Sequence, residues 1–256
     1  MSAEKFVAEI FGTATLILLG DGVVAGVLLA RSKAQNSGWI VITTAWAFAV
    51  FCGVVVAGPI SGAHLNPAVT LAVFINSAMT GATPAFGVDQ LIGYWAGEMI
   101  GAFLGAVLVF LHYYPHWEVT EDADLKLAVY STGPAIRNYT WNLVSEIIGT
   151  FVLVFVIFAF IPNNDKSAAP AMLGALPVAF LVLVIGLALG GTTGYAINPA
   201  RDLGPRIAHA ILPIAGKRDP DWAYSWVPVV GPLIGAALAA IVYNALFTNF
   251  TMKVVG

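Results

Sequence analysis

The architecture of this chain follows from two short stretches, SGAHLNPAVT at residues 61–70 and NPARDLGPR at residues 198–206. Each interrupts an apolar segment with Asn-Pro, and the helical run after the proline is shorter than the roughly 20 residues needed to cross a bilayer. Proline suits the first helical turn, and asparagine suits the cap before it. We therefore predict two re-entrant segments, Gly58–Met79 and Gly190–Ile211, each a loop followed by a half-helix.

The rest of the chain has the composition of an integral membrane protein. Of its 256 residues, 59% are hydrophobic and 10% are charged, whereas soluble domains carry about 25% charged residues. This composition argues against a soluble enzyme, and the net charge of −3 offers no basic surface for nucleic acid. The single cysteine excludes a disulfide framework and a cysteine-only metal site. We predict that the protein is not an enzyme and has neither a metal nor a cofactor.

Six further apolar segments are long enough to span the hydrocarbon core. They are Phe6–Ala30, Gly38–Ala57, Val88–Tyr113, Trp141–Ile161, Ala168–Leu189 and Trp222–Phe250. Between the third and fourth spans the charged residues concentrate, which predicts a polar loop at 114–139. Within the third span, glycines 93, 97, 101 and 105 recur every four residues and predict a close-packing face, either within one protomer or between protomers.

The two halves of the chain repeat one another. Three motifs recur in the same order and at nearly the same separation: AEIFGT (8–13) and SEIIGT (145–150), NPA (66–68) and NPA (198–200), GEMIGA (97–102) and GPLIGA (231–236). Because each half holds three spans, the second half enters from the opposite side of the membrane. The sequence predicts an all-α membrane protein with one transmembrane channel domain over 1–256, comprising repeat 1 (about 5–113), the loop (114–139) and repeat 2 (about 140–250).

An inverted repeat of this kind places the two half-helices head to head near the membrane midplane. Each half-helix N-terminus carries about half a positive charge, which makes the gap between them hostile to cations. The side-chain amides of Asn66 and Asn198 are predicted to be donors at the centre of a pore. The positive field and the fixed donors should interrupt a proton relay. The loops are predicted to expose carbonyls along the pore at Gly62, Ala63, His64, Gly194, Tyr195 and Ala196.

The paired Asn-Pro-Ala stretches resemble the two signatures of the major intrinsic proteins, the aquaporin family, over roughly residues 5–250. Asp202, directly after Asn-Pro-Ala-Arg, resembles the aspartate that is typical of this position in the glycerol-facilitator (aquaglyceroporin) branch. The resemblance implies an aquaporin-like fold of six transmembrane helices and two half-helices. It also implies a homotetramer with one pore per protomer and a multi-pass cell-membrane protein with both termini in the cytoplasm. That orientation puts more Lys and Arg outside than inside, against the positive-inside rule.

The resemblance further implies a narrow selectivity filter formed by Trp46, Gly186, Tyr195 and Arg201. Strict water channels of the family carry a histidine where this chain has Gly186, so we expect a wider constriction here. Trp46 and Tyr195 would form an apolar corner for a carbon backbone, while Arg201 donates to hydroxyl groups. The glycerol branch more often has phenylalanine at the position of Tyr195, and this difference leaves the preferred solute open.

Five acidic residues lie inside the predicted spans: Glu9, Asp21, Asp89, Glu98 and Glu146. A functional role is the default expectation for a charge at membrane depth. Glu9 and Glu146 occupy matching places in the two repeats. We expect them, as in the family, to brace the re-entrant loops by accepting N–H groups; the alternative is a pair of transported-proton sites. Asp21 and Glu98 stand where the family's spans are usually uncharged, and they either face a vestibule or pair internally.

These observations predict a passive transmembrane channel for glycerol and other small uncharged polar solutes, with water, that excludes protons and ions. Its partners would be these solutes and the lipid bilayer. A related channel that prefers water, dihydroxyacetone, urea, hydrogen peroxide or undissociated lactic acid is an alternative. An active secondary transporter, which can also use inverted repeats and broken helices, and a junctional or scaffolding membrane protein are alternatives of other classes.

Overall fold

The structure, a computed structural model, describes residues 1–83, 85–160 and 174–247. Regular structure in these ranges is α-helical. The helices are α1 (Ala3–Leu28), α2 (Trp39–Ser61), α3 (Pro67–Thr80), α4 (Val88–His112), α5 (Tyr114–Val119), α6 (Ala123–Tyr130), α7 (Tyr139–Phe160), α8 (Leu176–Leu189), α9 (Pro199–Ile211) and α10 (Val227–Phe247).

Five of these helices are long and apolar enough to cross a membrane: α1, α2, α4, α7 and α10. Helix α8 is the described part of the predicted span Ala168–Leu189, and residues 168–173 lie outside the described ranges. Residue 161 of the fourth predicted span and residues 248–250 of the last one also lie outside them. The short helices α3 and α9 are the two predicted half-helices, with 14 and 13 residues.

Two predicted boundaries are wrong. Helix α2 continues through Pro59 to Ser61, so the first re-entrant loop begins at Gly62 rather than at Gly58. A left-handed glycine, Gly62 with φ +89°, ends this helix and donates its N–H to the carbonyl of Gly58 at 3.1 Å. The last span begins at Val227 rather than Trp222, because residues 222–226 form turns and Pro228 lies in the first helical turn.

The segment predicted as a polar loop, 114–139, contains the two short helices α5 and α6. Asp122 caps α6 by accepting a hydrogen bond from the N–H of Asp124 at 2.8 Å. Trp117 and Tyr130 are buried and stack with ring centroids 5.5 Å apart. The loop therefore carries its own apolar contacts, and its helix α6 packs on α1 and α9.

The packing of the helices shows the inverted repeat. Helix α1 packs on α2 and α4, and α7 packs on α8 and α10 in the same way. Each half-helix packs on the last helix of the other repeat, since α3 contacts α10 and α9 contacts α4. The two repeats are thus interlocked around the half-helices.

The glycine stripe of α4 packs within the chain, against α1. A Cβ on Gly101 would lie 2.4 Å from the carbonyl oxygen of Ile10. In the second repeat, a Cβ on Gly235 would lie 2.4 Å from the carbonyl oxygen of Ile147. Only glycine allows the backbones to approach so closely, and this is the first of the two predicted alternatives.

Lys217 caps the C-terminal end of the second half-helix, α9. Its ammonium group donates hydrogen bonds of 2.7–2.8 Å to the carbonyls of His209, Ala210 and Leu212. A cation is favourable at this end of a helix because the helix dipole is negative there. Burial lowers the pKa of Lys217 from its ordinary value.

Candidate functional site

The two asparagines of the Asn-Pro-Ala stretches cap the half-helices. The side-chain oxygen of Asn66 accepts a hydrogen bond from the N–H of Ala68 at 2.9 Å. The side-chain oxygen of Asn198 accepts from Ala200 at 3.0 Å and from Arg201 at 3.3 Å. Since each oxygen is used by its own helix, each amide nitrogen is directed away from that helix.

The same asparagines join the two re-entrant loops to each other. Asn66 Nδ2 donates to the carbonyl of Ile197 at 2.8 Å, and Asn198 Nδ2 donates to the carbonyl of Leu65 at 2.8 Å. An amide nitrogen has two hydrogens, so one on each asparagine remains for another acceptor. Both side chains line a common cavity of about 300 Å³. The half-helix N-termini therefore meet at this cavity.

The re-entrant loops have matching, strained backbones. Ala63 and Leu65 have φ of +54° and +53°, and the corresponding Tyr195 and Ile197 have φ of +38° and +43°. A left-handed conformation costs a non-glycine residue about 1–3 kcal/mol and persists only where the surroundings enforce it. Of the six residues predicted to expose carbonyls, five line the cavity, and Gly194 does not.

Two buried glutamates hold these loops in place. Glu9 accepts hydrogen bonds from the backbone N–H groups of His64 (3.1 Å) and Leu65 (2.8 Å), and from the hydroxyl of Ser61 (2.5 Å). The Glu9 carboxylate therefore accepts hydrogen bonds from one hydroxyl and from two N–H groups of the first loop.

Glu146 repeats this arrangement in the second half. It accepts from the N–H groups of Ala196 (3.0 Å) and Ile197 (2.9 Å) and from the hydroxyl of Thr193 (2.7 Å). Each glutamate thus accepts three hydrogen bonds at its own re-entrant loop, which is the geometry that the predicted bracing role requires.

Three of the four predicted filter residues come together at one part of the cavity wall. Trp46, Tyr195 and Arg201 all line it, and the guanidinium carbon of Arg201 lies 4.1 Å from the centre of the Trp46 ring. The indole Nε1, the phenol oxygen and Arg201 Nη1 are buried and have no hydrogen-bond partner among the described residues. Buried polar groups are normally paired, so these three unpaired atoms on residues of the cavity wall are exceptions to that rule.

The fourth predicted residue, Gly186, does not line the cavity. It lies behind Tyr195: a Cβ on Gly186 would be 2.9 Å from Tyr195 Cζ. The small residue therefore makes room for the tyrosine ring rather than widening the bore directly. Two residues that contact Tyr195 were not predicted from the sequence. The indole of Trp39 donates to the Gly186 carbonyl at 3.0 Å, and its ring centroid lies 5.7 Å from that of Tyr195. At Gly190, a Cβ would lie 2.5 Å from Tyr195 Cδ1.

The remaining cavity wall is largely apolar. Polar groups of the loops, the asparagines and the filter are set among aliphatic and aromatic side chains. These apolar side chains belong to Leu16, Val50, Val54, Val69, Val73, Leu153, Ile157, Phe158, Val178 and Val182. Such a lining suits a solute that has both hydroxyl groups and a carbon backbone.

Asp21 and Glu98, whose environment the sequence left open, are both fully buried and pair internally. Asp21 lies 3.6 Å from Arg201, between Oδ1 and Nη1. Glu98 Oε1 accepts the Thr70 hydroxyl at 2.6 Å, and the Thr70 oxygen lies 2.9 Å from Nδ1 of His64.

Asp202 does not face the cavity. Its carboxylate pairs with Nε of Arg206 at 2.7 Å and accepts from the N–H of Thr132 at 2.8 Å. Arg206 also donates to the carbonyl of Pro220 at 2.6 Å. This fully buried pair ties α9 to the loops on either side. An acid and an arginine four residues apart on a short helix is a sequence signal that could have identified the pair.

Comparisons with known proteins agree with this geometry. A family model described as "Major intrinsic protein" matches residues 1–243. Glycerol uptake facilitator protein 3 of Lactiplantibacillus plantarum is 55% identical over 244 residues, which are 95% of this chain and 97% of that protein. The glycerol uptake facilitator protein of Streptococcus pneumoniae is 54% identical over 244 residues, 95% of this chain and 99% of its own length. The X-ray structure of the aquaglyceroporin from Plasmodium falciparum matches with a TM-score of 0.80 at 28% identity, over 97% of this chain and 98% of that one.

Proposed function

The chain belongs to the major intrinsic protein family, and from this membership we propose that it is a passive transmembrane channel for glycerol and other small uncharged polar solutes, with water. It is a multi-pass membrane protein and, as a member of a family of channels, not an enzyme. The observation that carries the proposal is the cavity in which the capping amides of Asn66 and Asn198 meet two strained loops and the Arg201 guanidinium.

The proposed pathway assigns a role to each polar group of the cavity. Asn66 and Asn198 donate to the solute at the centre of the bore, and the loop carbonyls accept from its hydroxyls. Trp46, Tyr195 and Arg201 form the filter, with Gly186 acting through the position of Tyr195. The apolar wall supports this assignment because it matches the carbon side of glycerol, while the positive half-helix ends oppose cations.

We also propose that residues 1–256 form one channel domain of two inverted repeats, that four copies assemble with one pore in each, and that both termini lie in the cytoplasm. Native mass spectrometry of the protein in detergent tests the tetramer. Orientation is testable because Cys52 is the single cysteine. In a Cys52→Ser background, a cysteine introduced at Ser2 should react with a membrane-impermeant maleimide only after cells are opened.

Stopped-flow light scattering of reconstituted vesicles tests the function. We expect rapid glycerol entry, with water permeation alongside, and a final solute level that never exceeds equilibrium. A panel of urea, dihydroxyacetone, hydrogen peroxide and lactic acid at low pH would rank the solutes. Solute accumulation driven by a proton gradient would contradict a passive channel, and vesicles no more permeable to glycerol than protein-free ones would contradict the solute.

A further inference from the structure

Asp21 is a buried acid for which the proposed pathway gives no role. It lies inside the membrane-spanning helix α1 and has no exposed surface. An ionisable group at this depth is costly unless it has a partner. In contrast to the two loop-bracing glutamates, neither carboxylate oxygen of Asp21 has a hydrogen-bond partner in the described ranges. Within those ranges its ion-pair partner is Arg201, at 3.6 Å.

Arg201 is held in a complementary way. Its Nη1 forms no hydrogen bond with a described residue, and its guanidinium lies over the Trp46 ring. The other buried arginine, Arg206, differs because its Nε and both Nη atoms donate hydrogen bonds to protein oxygens. Arg206 is therefore locked by hydrogen bonds, whereas Arg201 lies between the Asp21 carboxyl group and an aromatic face.

Helix α1 supplies the first of these contacts and supports the second, because the Trp46 ring of α2 packs on it. Next to Asp21 stands Gly20, where a Cβ would lie 2.3 Å from Cζ3 of Trp46. The indole ring therefore packs directly on the α1 backbone beside the carboxylate. Two adjacent residues of α1 thus determine where the ring and the negative charge lie relative to Arg201.

The separation of the ion pair is chemically important. A distance of 3.6 Å is too long for a hydrogen bond but short enough for a strong electrostatic attraction in a buried site. The carboxylate can therefore orient the guanidinium and offset its charge without using its N–H donors. The guanidinium is therefore placed beside the cavity without a hydrogen bond from Nη1 to the carboxylate.

We propose that Asp21 is a positioning residue for glycerol conduction, which keeps Arg201 against the Trp46 face and out of the bore. This inference rests on the proposed function. Without the negative charge, the long Arg201 side chain loses its attachment to α1 and extends into the cavity. A displaced guanidinium obstructs a three-carbon solute more than it obstructs water.

The test measures the ratio of glycerol to water permeability in reconstituted vesicles for wild type, Asp21→Asn and Asp21→Glu. Asp124→Asn is the matched control, because it removes one negative charge from an exposed acid that pairs with Arg218. Asp21→Asn should lower the ratio by at least about threefold. A change of this size corresponds to the low end of the interaction energies found between residues in contact. Asp21→Glu, which keeps the charge, should stay closer to wild type, and Asp124→Asn should leave the ratio unchanged.

A double-mutant cycle separates positioning from a packing role in α1. In an Arg201→Val background, Asp21→Asn should have no further effect on the ratio. The same shift in both backgrounds, an unchanged ratio in Asp21→Asn, or a larger loss in Asp21→Glu than in Asp21→Asn would overturn the inference. Wild-type vesicles that fail to conduct glycerol would instead overturn the proposed function, and this inference with it. The melting temperature of each variant in detergent checks that it is folded.

Discussion

Replacing Gly186 by alanine tests whether the width of the filter depends on the place of the Tyr195 ring. The new Cβ would lie 2.9 Å from Tyr195 Cζ and 2.9 Å from Thr43 Cγ2. Trp39 and Gly190 already pack against the same ring, and Tyr195 is one of the residues that line the cavity. We therefore expect the displaced ring to move away from these contacts and toward the bore.

The size of the effect follows from these distances. Carbon atoms in contact prefer a separation of about 3.5–4.0 Å, so the ring must move by roughly 0.6–1 Å. Overpacking of this kind costs about 1–3 kcal/mol. Glycerol must push the ring back against that strain, whereas water needs less room. At tenfold in rate for each 1.36 kcal/mol, glycerol permeability should fall roughly 5- to 150-fold, with a smaller fall for water.

The assay is the vesicle measurement of glycerol and water permeability, with Gly191→Ala as the control. A Cβ on Gly191 has nothing within 4 Å, so this variant makes the same chemical change without a clash. Adding Tyr195→Ala to Gly186→Ala should remove most of the difference between alanine and glycine at position 186. Equal losses for glycerol and water, or no loss of either, would show that Gly186 does not act through the Tyr195 ring.

Three further outcomes are expected. Arg201→Val should keep neutral solute flux but weaken the exclusion of cations, seen as an ion leak in vesicles; no leak would mean that Arg201 is not the main guard. Glu146→Ala should sharply lower the melting temperature, because the Thr193 hydroxyl and two loop N–H groups lose their acceptor. Each buried donor left without a partner lowers the stability of the fold by about 1–3 kcal/mol. A melting temperature near that of wild type would refute the bracing role. The Arg137 guanidinium lowers the pKa of Asp221, so this pair stabilises the fold above about pH 4, and the stabilisation is lost as the pH falls further. The difference in melting temperature between wild type and Arg137→Gln should therefore shrink at low pH. A difference that stays constant with pH would argue against the pair.

The half-helices could be predicted because Asn-Pro is a local signal. The same two residues cap a helix and begin it, so their position is sufficient to locate Pro67–Thr80 and Pro199–Ile211. The ends of the spans were harder to predict. Pro59 suggests a break, yet α2 continues past it, because neighbouring protein groups can satisfy the backbone of a proline-containing helix within a membrane.

Contacts between distant parts of the chain could not be predicted in this way. Nothing near Asp21 in the sequence indicates that its partner is Arg201, and no local pattern shows that Gly186 lies behind Tyr195 rather than at the bore. Both facts depend on how α1 and α8 pack beside α2 and on the path of the second loop. The family resemblance and the spacing from Asn66 predicted a filter role for Trp46, but not the aromatic contact it makes with Arg201.

The pathway is symmetric at its centre and asymmetric at its filter. The loops, their glutamates and their crossed asparagine bonds are built twice, so each repeat stabilises the strained loop of the other. The proposed filter is different, because Trp46 and the proposed positioning residue Asp21 precede the 114–139 loop in the chain, while Tyr195 and Arg201 follow it. Each repeat supplies the partner that the other lacks, so selectivity requires both halves to fold together, and a change in α1 can alter a guanidinium that belongs to α9.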